Sequence, residues 1–193
     1  MTVAISAVLV TACGGDDGDN ASAPVSSSTA SSSEGSSSEG SMADETAELA
    51  AWQTIEIADV DGATFSLADY VGTPVLVETF ATWCVNCRAQ LGDTQQAAVT
   101  LGEEAAVVAL SVETDLSSGD VAEYAADNGF ADIRFAVMTP ELLAAFADAF
   151  GTTVANPPST PKVIIDAMGN AGDLSTGPES TDDLVTELRA AAA

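Results

Sequence analysis

The chain has 193 residues, of which 30 are acidic and only 4 are basic, so its formal net charge is −26 at pH 7. Nucleic acid is a poor partner for such a surface, because phosphate binding needs clustered cations. The chain contains no histidine, which excludes imidazole bases, Ser-His-Asp and Cys-His catalysis and histidine-bound zinc.

The first 12 residues are mostly apolar and are typical of the end of a secretory signal peptide. They are too few to cross a bilayer as a helix. Residues 10–13, Val-Thr-Ala-Cys, resemble a lipobox, the bacterial motif that is cut before a cysteine that becomes lipidated. We therefore predict lipidation at Cys13. Because residues 1–12 contain no Lys or Arg, we expect the true start codon to lie further upstream.

Residues 13–47 are predicted to form a tether. From residue 14 to about residue 46 the sequence is nearly all Gly, Ser, Ala, Asp and Glu, and such a segment buries too little to offset its ordering entropy. A Gly/Ser-rich coil of this length reaches roughly 30 Å root-mean-square. The sequence thus predicts a domain over residues 48–193 that a lipid anchor alone holds at the extracytoplasmic face of the cell membrane.

Strand and helix patterns alternate along residues 48–193. A hairpin is predicted around the Asp61-Gly62 turn, and the last helix carries acids at its start and Arg189 near its end, as the helix dipole favours. The pattern predicts an α/β fold with a central mixed β-sheet, helices on both of its faces and an N-terminal β-hairpin extension. The other predicted strands are 75–80, 106–112, 133–137, 162–166 and 171–175, and the predicted helices are 85–101, 121–128, 140–150 and 181–191.

Two cysteines, Cys84 and Cys87, stand where strand 75–80 gives way to helix 85–101. The free N–H groups and the dipole at a helix N-terminus favour a thiolate at Cys84, and the thiolate is the attacking species in disulfide exchange. Cys87, one turn further on, can close on Cys84 and release a mixed disulfide. Because the chain has no second cysteine pair and no histidine, a zinc site is disfavoured. The sequence predicts a redox dithiol, with no metal and no organic cofactor.

Residues 80–88, Phe-Ala-Thr-Trp-Cys-Val-Asn-Cys-Arg, resemble the active-site stretch of thioredoxin-like proteins. The resemblance is to extracytoplasmic, membrane-tethered thiol–disulfide oxidoreductases of the TlpA/ResA type, and it runs from about Gln53 to Leu188. It implies a thioredoxin-like fold and an enzyme that exchanges electrons with disulfides of extracytoplasmic proteins, with apocytochrome c as one candidate. It also implies an electron-donating membrane protein as a second partner.

The same resemblance implies a substrate groove beside the dithiol. Pro161 matches the family's cis-proline, which lies opposite the two cysteines, and Thr160 matches the residue whose backbone pairs with the bound chain. Pro157 and Pro158 compete for the cis-proline position, but Pro161 has the expected relation to the strand that follows it. Trp83 is expected to line the groove.

Glu78 lies six residues before Cys84 in an otherwise apolar strand. Burial of a carboxylate there is costly, so we expect its pKa to rise. Thioredoxins have an acid at the matching position, which relays a proton to and from the resolving cysteine. Two of the four basic residues, Arg88 and Lys162, bracket the site in sequence and can make the local potential less negative.

The residues between the cysteines, Val85 and Asn86, resemble those of the thioredoxin-like relay domains in transmembrane reductases, which favours a reductant. A peroxidase of the same fold is an alternative, but it would need Thr and Pro where this chain has Ala81 and Val77. A non-catalytic copper or docking module is another alternative. The copper carriers of this fold usually use a distant histidine, which this chain lacks.

Overall fold

The structure is a computed structural model and describes residues 49–193. The predicted signal over residues 1–12, the lipidation site Cys13 and the tether over residues 13–47 lie outside the described residues. Within residues 49–193, no helix combines the length and the apolar character needed to span a bilayer.

Residues 49–193 form six β-strands, four α-helices and several short 3₁₀ turns. The strands are β1 (Ile57–Ala58), β2 (Thr64–Phe65), β3 (Val75–Phe80), β4 (Ala106–Ser111), β5 (Arg134–Val137) and β6 (Lys162–Ile165). The helices are α1 (Val85–Leu101), α2 (Ser118–Asn128), α3 (Pro140–Phe150) and α4 (Thr181–Ala190). The 3₁₀ turns are Ala51–Thr54, Leu67–Tyr70, Gly102–Glu104, Thr152–Ala155 and Pro157–Ser159.

A four-stranded mixed sheet, in the order β5-β4-β3-β6, forms the centre of the domain. β3 is parallel to β4 and antiparallel to β6, and β1 and β2 form a separate antiparallel hairpin. The mixed sheet and the hairpin confirm the predicted fold class. The predicted strand over 171–175 is wrong: Ala171 and Ser175 each make only an isolated bridge to β6. Gly172 and Asp173, two poor strand formers, interrupt the ladder between those bridges.

The sheet separates two apolar cores. α1, α2 and α4 cover one face, and α3 with the hairpin covers the other. All six residues of β3 are buried, and its side chains alternate between the cores: Leu76 and Phe80 pack under α1, while Val75 and Val77 pack under α3. Because Glu78 lies between Leu76 and Phe80 in this alternation, its carboxyl group also faces α1.

A partly buried ion pair fastens the hairpin to the sheet at β5. The Asp59 carboxylate accepts hydrogen bonds from Arg134 Nε at 2.9 Å and Nη2 at 2.7 Å, and from the backbone N–H groups of Asp61 and Ala63. The Arg134 guanidinium also lies 3.8 Å from the centre of the Phe65 ring. Burial acts to raise the pKa of Asp59, but Arg134 and the backbone donors outweigh it and hold that pKa below its usual value.

We expect Asp59→Ala to loosen the hairpin and to lower the free energy of unfolding by about 2 kcal/mol, since it leaves the half-buried Arg134 unpaired. The loss should be present at pH 7 and should fade as the pH falls through the lowered pKa of Asp59, because protonation removes the same ion pair from the wild type. Urea unfolding at both pH values measures it. Asp61→Ala, an exposed change in the same turn, should stay within about 0.5 kcal/mol of the wild type, and an equal effect of the two variants would contradict the assignment.

Candidate active site

The dithiol lies where β3 passes into α1. Cys84 and Cys87 are joined by a disulfide bond, with their Cα atoms 5.3 Å apart. Cys84 is the N-cap of α1, and the backbone N–H of Cys87 lies 3.1 Å from Cys84 Sγ. This N–H and the helix dipole would stabilise a Cys84 thiolate once the disulfide is reduced. Cys84 is 3% exposed and Cys87 is 0% exposed, so Cys84 presents the sulfur that a second protein can reach.

An apolar rim surrounds the reachable sulfur. Trp83 is 63% exposed and Val85 is 68% exposed, which is unusual for large apolar side chains. Together with Cys84, Asn86 and Pro158 they line a shallow cavity of about 280 Å³. The structure therefore places Trp83 at the surface beside the dithiol, where a groove-lining residue is expected.

The prediction of a cis bond between Thr160 and Pro161 is wrong, because no peptide bond within residues 49–193 is cis. Thr160 instead adopts a left-handed backbone with φ of 47°, which reverses the chain between the Pro157–Ser159 turn and β6. Its N–H donates to the Pro157 carbonyl at 2.7 Å. The carbonyl of Pro161 accepts the N–H of Thr79 at 3.0 Å, so Pro161 leads into β6 beside β3.

Pro157 and Pro158 make the contacts with the dithiol segment that were expected of Pro161. Cys87 Sγ lies 3.1 Å from the carbonyl oxygen of Pro157, and the Asn86 side-chain amide donates to the carbonyl of Pro158 at 3.1 Å. The sequence offers Pro157 and Pro158 as competitors for the cis-proline position, but no local signal places their carbonyls against the dithiol.

Glu78 is completely buried. Its Oε2 accepts a hydrogen bond from Thr94 Oγ1 at 2.9 Å, and its Oε1 has no partner. Burial raises the pKa of Glu78 to about 8, against the lowering effects of Thr94 and of the Lys162 charge. Both the burial and the raised pKa confirm the expectation from sequence. Thr94 lies two turns after Cys87 in α1, so the acid and the resolving cysteine share one side of that helix.

Lys162 is also buried, with 1% of its side chain exposed. Its Nζ donates to the carbonyls of Thr160 at 3.1 Å and Gly177 at 2.7 Å, and it lies 3.9 Å from Glu179 Oε1. The antiparallel register of β3 and β6 sets Lys162 directly opposite Glu78. Sequence reasoning missed this burial, because lysine is rarely buried completely unless it has partners, and these partners are distant along the chain.

Glu113, in the loop after β4, is a second residue that the sequence did not single out. Its Oε2 accepts the backbone N–H of Thr82 at 2.6 Å and the Thr82 hydroxyl at 2.8 Å. Thr82 precedes Cys84 by two residues, so this carboxylate anchors the loop that presents the dithiol. Nothing in the local sequence marks Glu113, which is one of 30 acidic residues.

Comparison with known proteins places this site in a family. Residues 48–169 match the model of the AhpC/TSA family. The chain belongs to the AhpC/TSA family. A search of curated protein sequences returned no significant match. The two positions that would hold Pro and Thr in a peroxidase are Val77 and Ala81, both buried and apolar.

Several solved structures share the fold. A thiol:disulfide interchange protein of the thioredoxin family from Chlorobium tepidum is 27% identical, with a TM-score of 0.61 over 72% of this chain and 93% of that one. The exposed lipoprotein thioredoxin Etrx1 of Streptococcus pneumoniae is 23% identical, with a TM-score of 0.58 over 70% and 98%. A secreted Mycobacterium tuberculosis disulfide oxidoreductase is 18% identical, with a TM-score of 0.57 over 77% and 99%. With the Cys84–Cys87 pair, these findings make the chain a thioredoxin-fold thiol–disulfide oxidoreductase.

The buried acid predicts an unusual dependence of stability on pH. Glu78 binds its proton more tightly in the folded protein, with a pKa of about 8 against 4.5 for the ordinary group, so wild-type stability should fall as the pH rises between these values. Glu78→Gln removes this loss, and we expect it to be more stable than the wild type by about 3 kcal/mol at pH 7.

Urea unfolding of the oxidised proteins between pH 5 and 8 measures the difference. Glu123→Gln, an exposed change on α2, serves as the control and should follow the wild type throughout. A Glu78→Gln curve parallel to that of the wild type would show that the carboxyl titrates alike in the folded and unfolded chains.

Proposed function

We propose that this oxidoreductase works outside the cytoplasm, held at the membrane by a lipid on Cys13, and that it reduces disulfides in other proteins. The observation that carries the catalytic part is the position of Cys84 as the N-cap of α1, with a backbone N–H 3.1 Å from its sulfur. That position favours the thiolate, which is the form that attacks a disulfide.

The reaction then has two steps. In the first, the Cys84 thiolate attacks one sulfur of the substrate disulfide, a mixed disulfide forms, and the other substrate sulfur leaves as a thiolate. In the second, Cys87 gives its proton to the Glu78 carboxylate and attacks Cys84 Sγ, which releases the second substrate thiolate. Two electrons pass from the dithiol to the substrate, and a membrane protein with a dithiol of its own supplies them again.

Substrate binding is assigned to the rim and to the groove next to it. Trp83 offers exposed apolar surface on one side of Cys84. On the other side a groove of about 230 Å³ runs past Thr160, and its lining also includes Asn86, Ala89, Gln90, Asp93, Pro158, Gly177 and Pro178. Because the Thr160 N–H already binds Pro157, pairing of this residue with a substrate backbone requires that bond to open. Pro161 acts in this scheme by holding the Pro157–Thr160 loop on β3.

The proposed location draws support from the signal-like residues 1–12, the lipobox at Cys13 and the tether composition. It is consistent with the similar structures, since one is named an exposed lipoprotein and another a secreted oxidoreductase. The proposed partners are disulfide-containing extracytoplasmic proteins, with apocytochrome c among them, and a membrane electron donor. The lipid is the proposed membrane contact.

The two cysteines should respond differently to substitution. Cys84→Ser should abolish reduction of insulin disulfides, since it removes the attacking sulfur, whereas Cys87→Ser should accumulate a mixed disulfide that appears on a non-reducing gel. Cys13→Ser is the matched control and should turn over insulin at the wild-type rate in solution. Reduction by Cys84→Ser at the wild-type rate would refute the mechanism.

The reduction potential of the Cys84–Cys87 pair tests the proposed direction of electron transfer. It is measured on the wild-type protein equilibrated in glutathione buffers. A reductant should have a potential near that of thioredoxin, about −270 mV, whereas a value near −120 mV is characteristic of strong periplasmic oxidants and would reverse the proposal.

Membrane attachment should depend on Cys13. When the chain is expressed behind a complete basic n-region in a bacterium with a lipoprotein pathway, the wild type should label with radioactive palmitate and sediment with membranes. Cys13→Ser should do neither, because the acceptor sulfur is gone, whereas Cys87→Ser should behave as the wild type. A wild type that remains unlabelled and soluble would overturn the anchor.

A further inference from the structure

A buried lysine next to the redox site requires an explanation. The chain has only four basic residues. Arg88 is exposed on α1, Arg134 pairs with Asp59, and Arg189 pairs with Glu104. Lys162, by contrast, places its ammonium in the interior, where a charge is costly unless it is compensated.

The groups around the Lys162 ammonium offset only part of the cost of burying its charge. Two carbonyl oxygens, those of Thr160 and Gly177, accept hydrogen bonds from it. The nearest carboxylate oxygen, on Glu179, is 3.9 Å away, at the limit of a direct ion pair. On the other side lies Glu78, directly across the β3–β6 ladder. Side chains of such opposed residues leave the same face of the sheet with their Cβ atoms about 4.5–5.5 Å apart.

Glu78 in turn lacks a partner for one of its oxygens, since its Oε1 is buried without a hydrogen bond. Thr94 of α1 satisfies the other oxygen. The titratable groups around it are Lys162 of β6, Glu179 before α4 and Tyr124 of α2. Burial is the largest influence on the pKa of Glu78 and raises it, Lys162 lowers it, and Glu179 raises it further.

On the α4 side, Glu187 also faces this cluster. Burial, Glu179 and Asp183 together raise the pKa of Glu187, and Lys162 opposes them. Lys162 is therefore a positive charge that acts on Glu78, on Glu179 and more weakly on the exposed Glu187.

We infer that Lys162 is a positioning residue of the redox site, whose ammonium is the counter-charge that favours the carboxylate form of Glu78, the form that takes the proton of Cys87. This inference rests on the proposed reaction. In that step the proton passes from Cys87 Sγ to a Glu78 oxygen, the Cys87–Cys84 bond forms, the bond from Cys84 to the substrate breaks, and the electron pair leaves on the substrate sulfur. The lysine keeps its proton throughout.

The same nitrogen also serves the substrate groove. Thr160 and Gly177, whose carbonyls it binds, both line the cavity of about 230 Å³ beside the dithiol. A loss of these hydrogen bonds should loosen the groove, whereas a loss of the charge should act on Glu78. Substitutions at position 162 that keep one property and remove the other separate the two effects.

The probe is the aromatic disulfide dithiobis(nitrobenzoate), mixed with excess pre-reduced protein in which Cys13→Ser leaves Cys84 and Cys87 as the only thiols. Attack by Cys84 releases one coloured thiolate, and attack by Cys87 releases the second, so the second phase reports the step that uses Glu78. Lys162→Gln, which can still donate hydrogen bonds but has no charge, should move the pH profile of the second phase upward by about one unit. Lys162→Arg, which keeps the charge, should leave the profile close to that of the wild type.

Glu179→Gln should move the second-phase profile in the opposite direction, to lower pH, because it removes a negative charge that competes for Lys162. In a Glu78→Gln background, which should slow the second phase by about 10²-fold, Lys162→Gln should cause no further shift. An equal effect of Lys162→Gln with and without Glu78 would overturn the inference, as it would show a structural role or a direct effect on the sulfur.

Carbon-13 NMR titration of the Glu78 carboxyl provides a readout that does not depend on turnover. Its midpoint should rise in Lys162→Gln and fall in Glu179→Gln, and unmoved midpoints would overturn the inference. If Lys162→Gln fails to fold, the Glu78 midpoint in Lys162→Met decides instead, since methionine fills a similar buried space without the charge. A failure of the proposed function is distinguishable, because the wild type would then fail to reduce insulin disulfides, while the NMR midpoints would still report on Lys162.

Discussion

The organisation of the redox site depends on one constraint, which is that β3 is buried on both of its faces and ends directly at the dithiol. Every side chain of this strand must therefore pack into one of the two cores. Five of the six do so with apolar or hydroxyl side chains, and Glu78 does so with a carboxyl group. A carboxyl in that place is held neutral by its surroundings or stabilised by a charge, and the groups that decide between these states come from α1, β6 and the segment before α4.

Polar atoms without partners are concentrated around this strand. Within residues 49–193 the buried side-chain atoms that lack a hydrogen bond are Glu78 Oε1, Tyr124 Oη and Thr160 Oγ1. The Tyr124 ring stacks on Phe80, the last residue of β3, and Thr160 leads into β6. Unsatisfied buried groups are rare in folded proteins and often mark functional positions. Their arrangement here is consistent with a site that trades some stability for proton transfer.

The features that could be predicted from sequence are those encoded over short distances. The dithiol at a helix start follows from a strand pattern, two cysteines and a helix pattern in immediate succession. The burial of Glu78 follows from its place among apolar neighbours in one strand. Lys162 and Glu113 could not be assigned, because their partners lie on other elements and an acid-rich chain offers many equivalent candidates.

The proline loop shows a different limit of sequence reasoning. The chain must turn sharply before β6, and either a cis bond or a left-handed residue can provide that turn. The structure uses the backbone of Thr160, and the choice depends on how the Pro157–Ser159 turn packs against α1. Local sequence carries no information about that packing, so the position of Pro157 and Pro158 against the dithiol emerges only from the tertiary structure.

The net charge of −26 also bears on encounters between identical molecules. Two copies that approach within a Debye length, about 8 Å at physiological ionic strength, repel each other strongly. Collisions that would bring two Cys84 sulfurs together are therefore suppressed, although the apolar rim around each one invites contact. Repulsion of this kind slows association between two copies, whereas attraction accelerates the approach of a basic partner to the same rim. A chain of this charge therefore favours encounters with basic or neutral partners over encounters with its own copies.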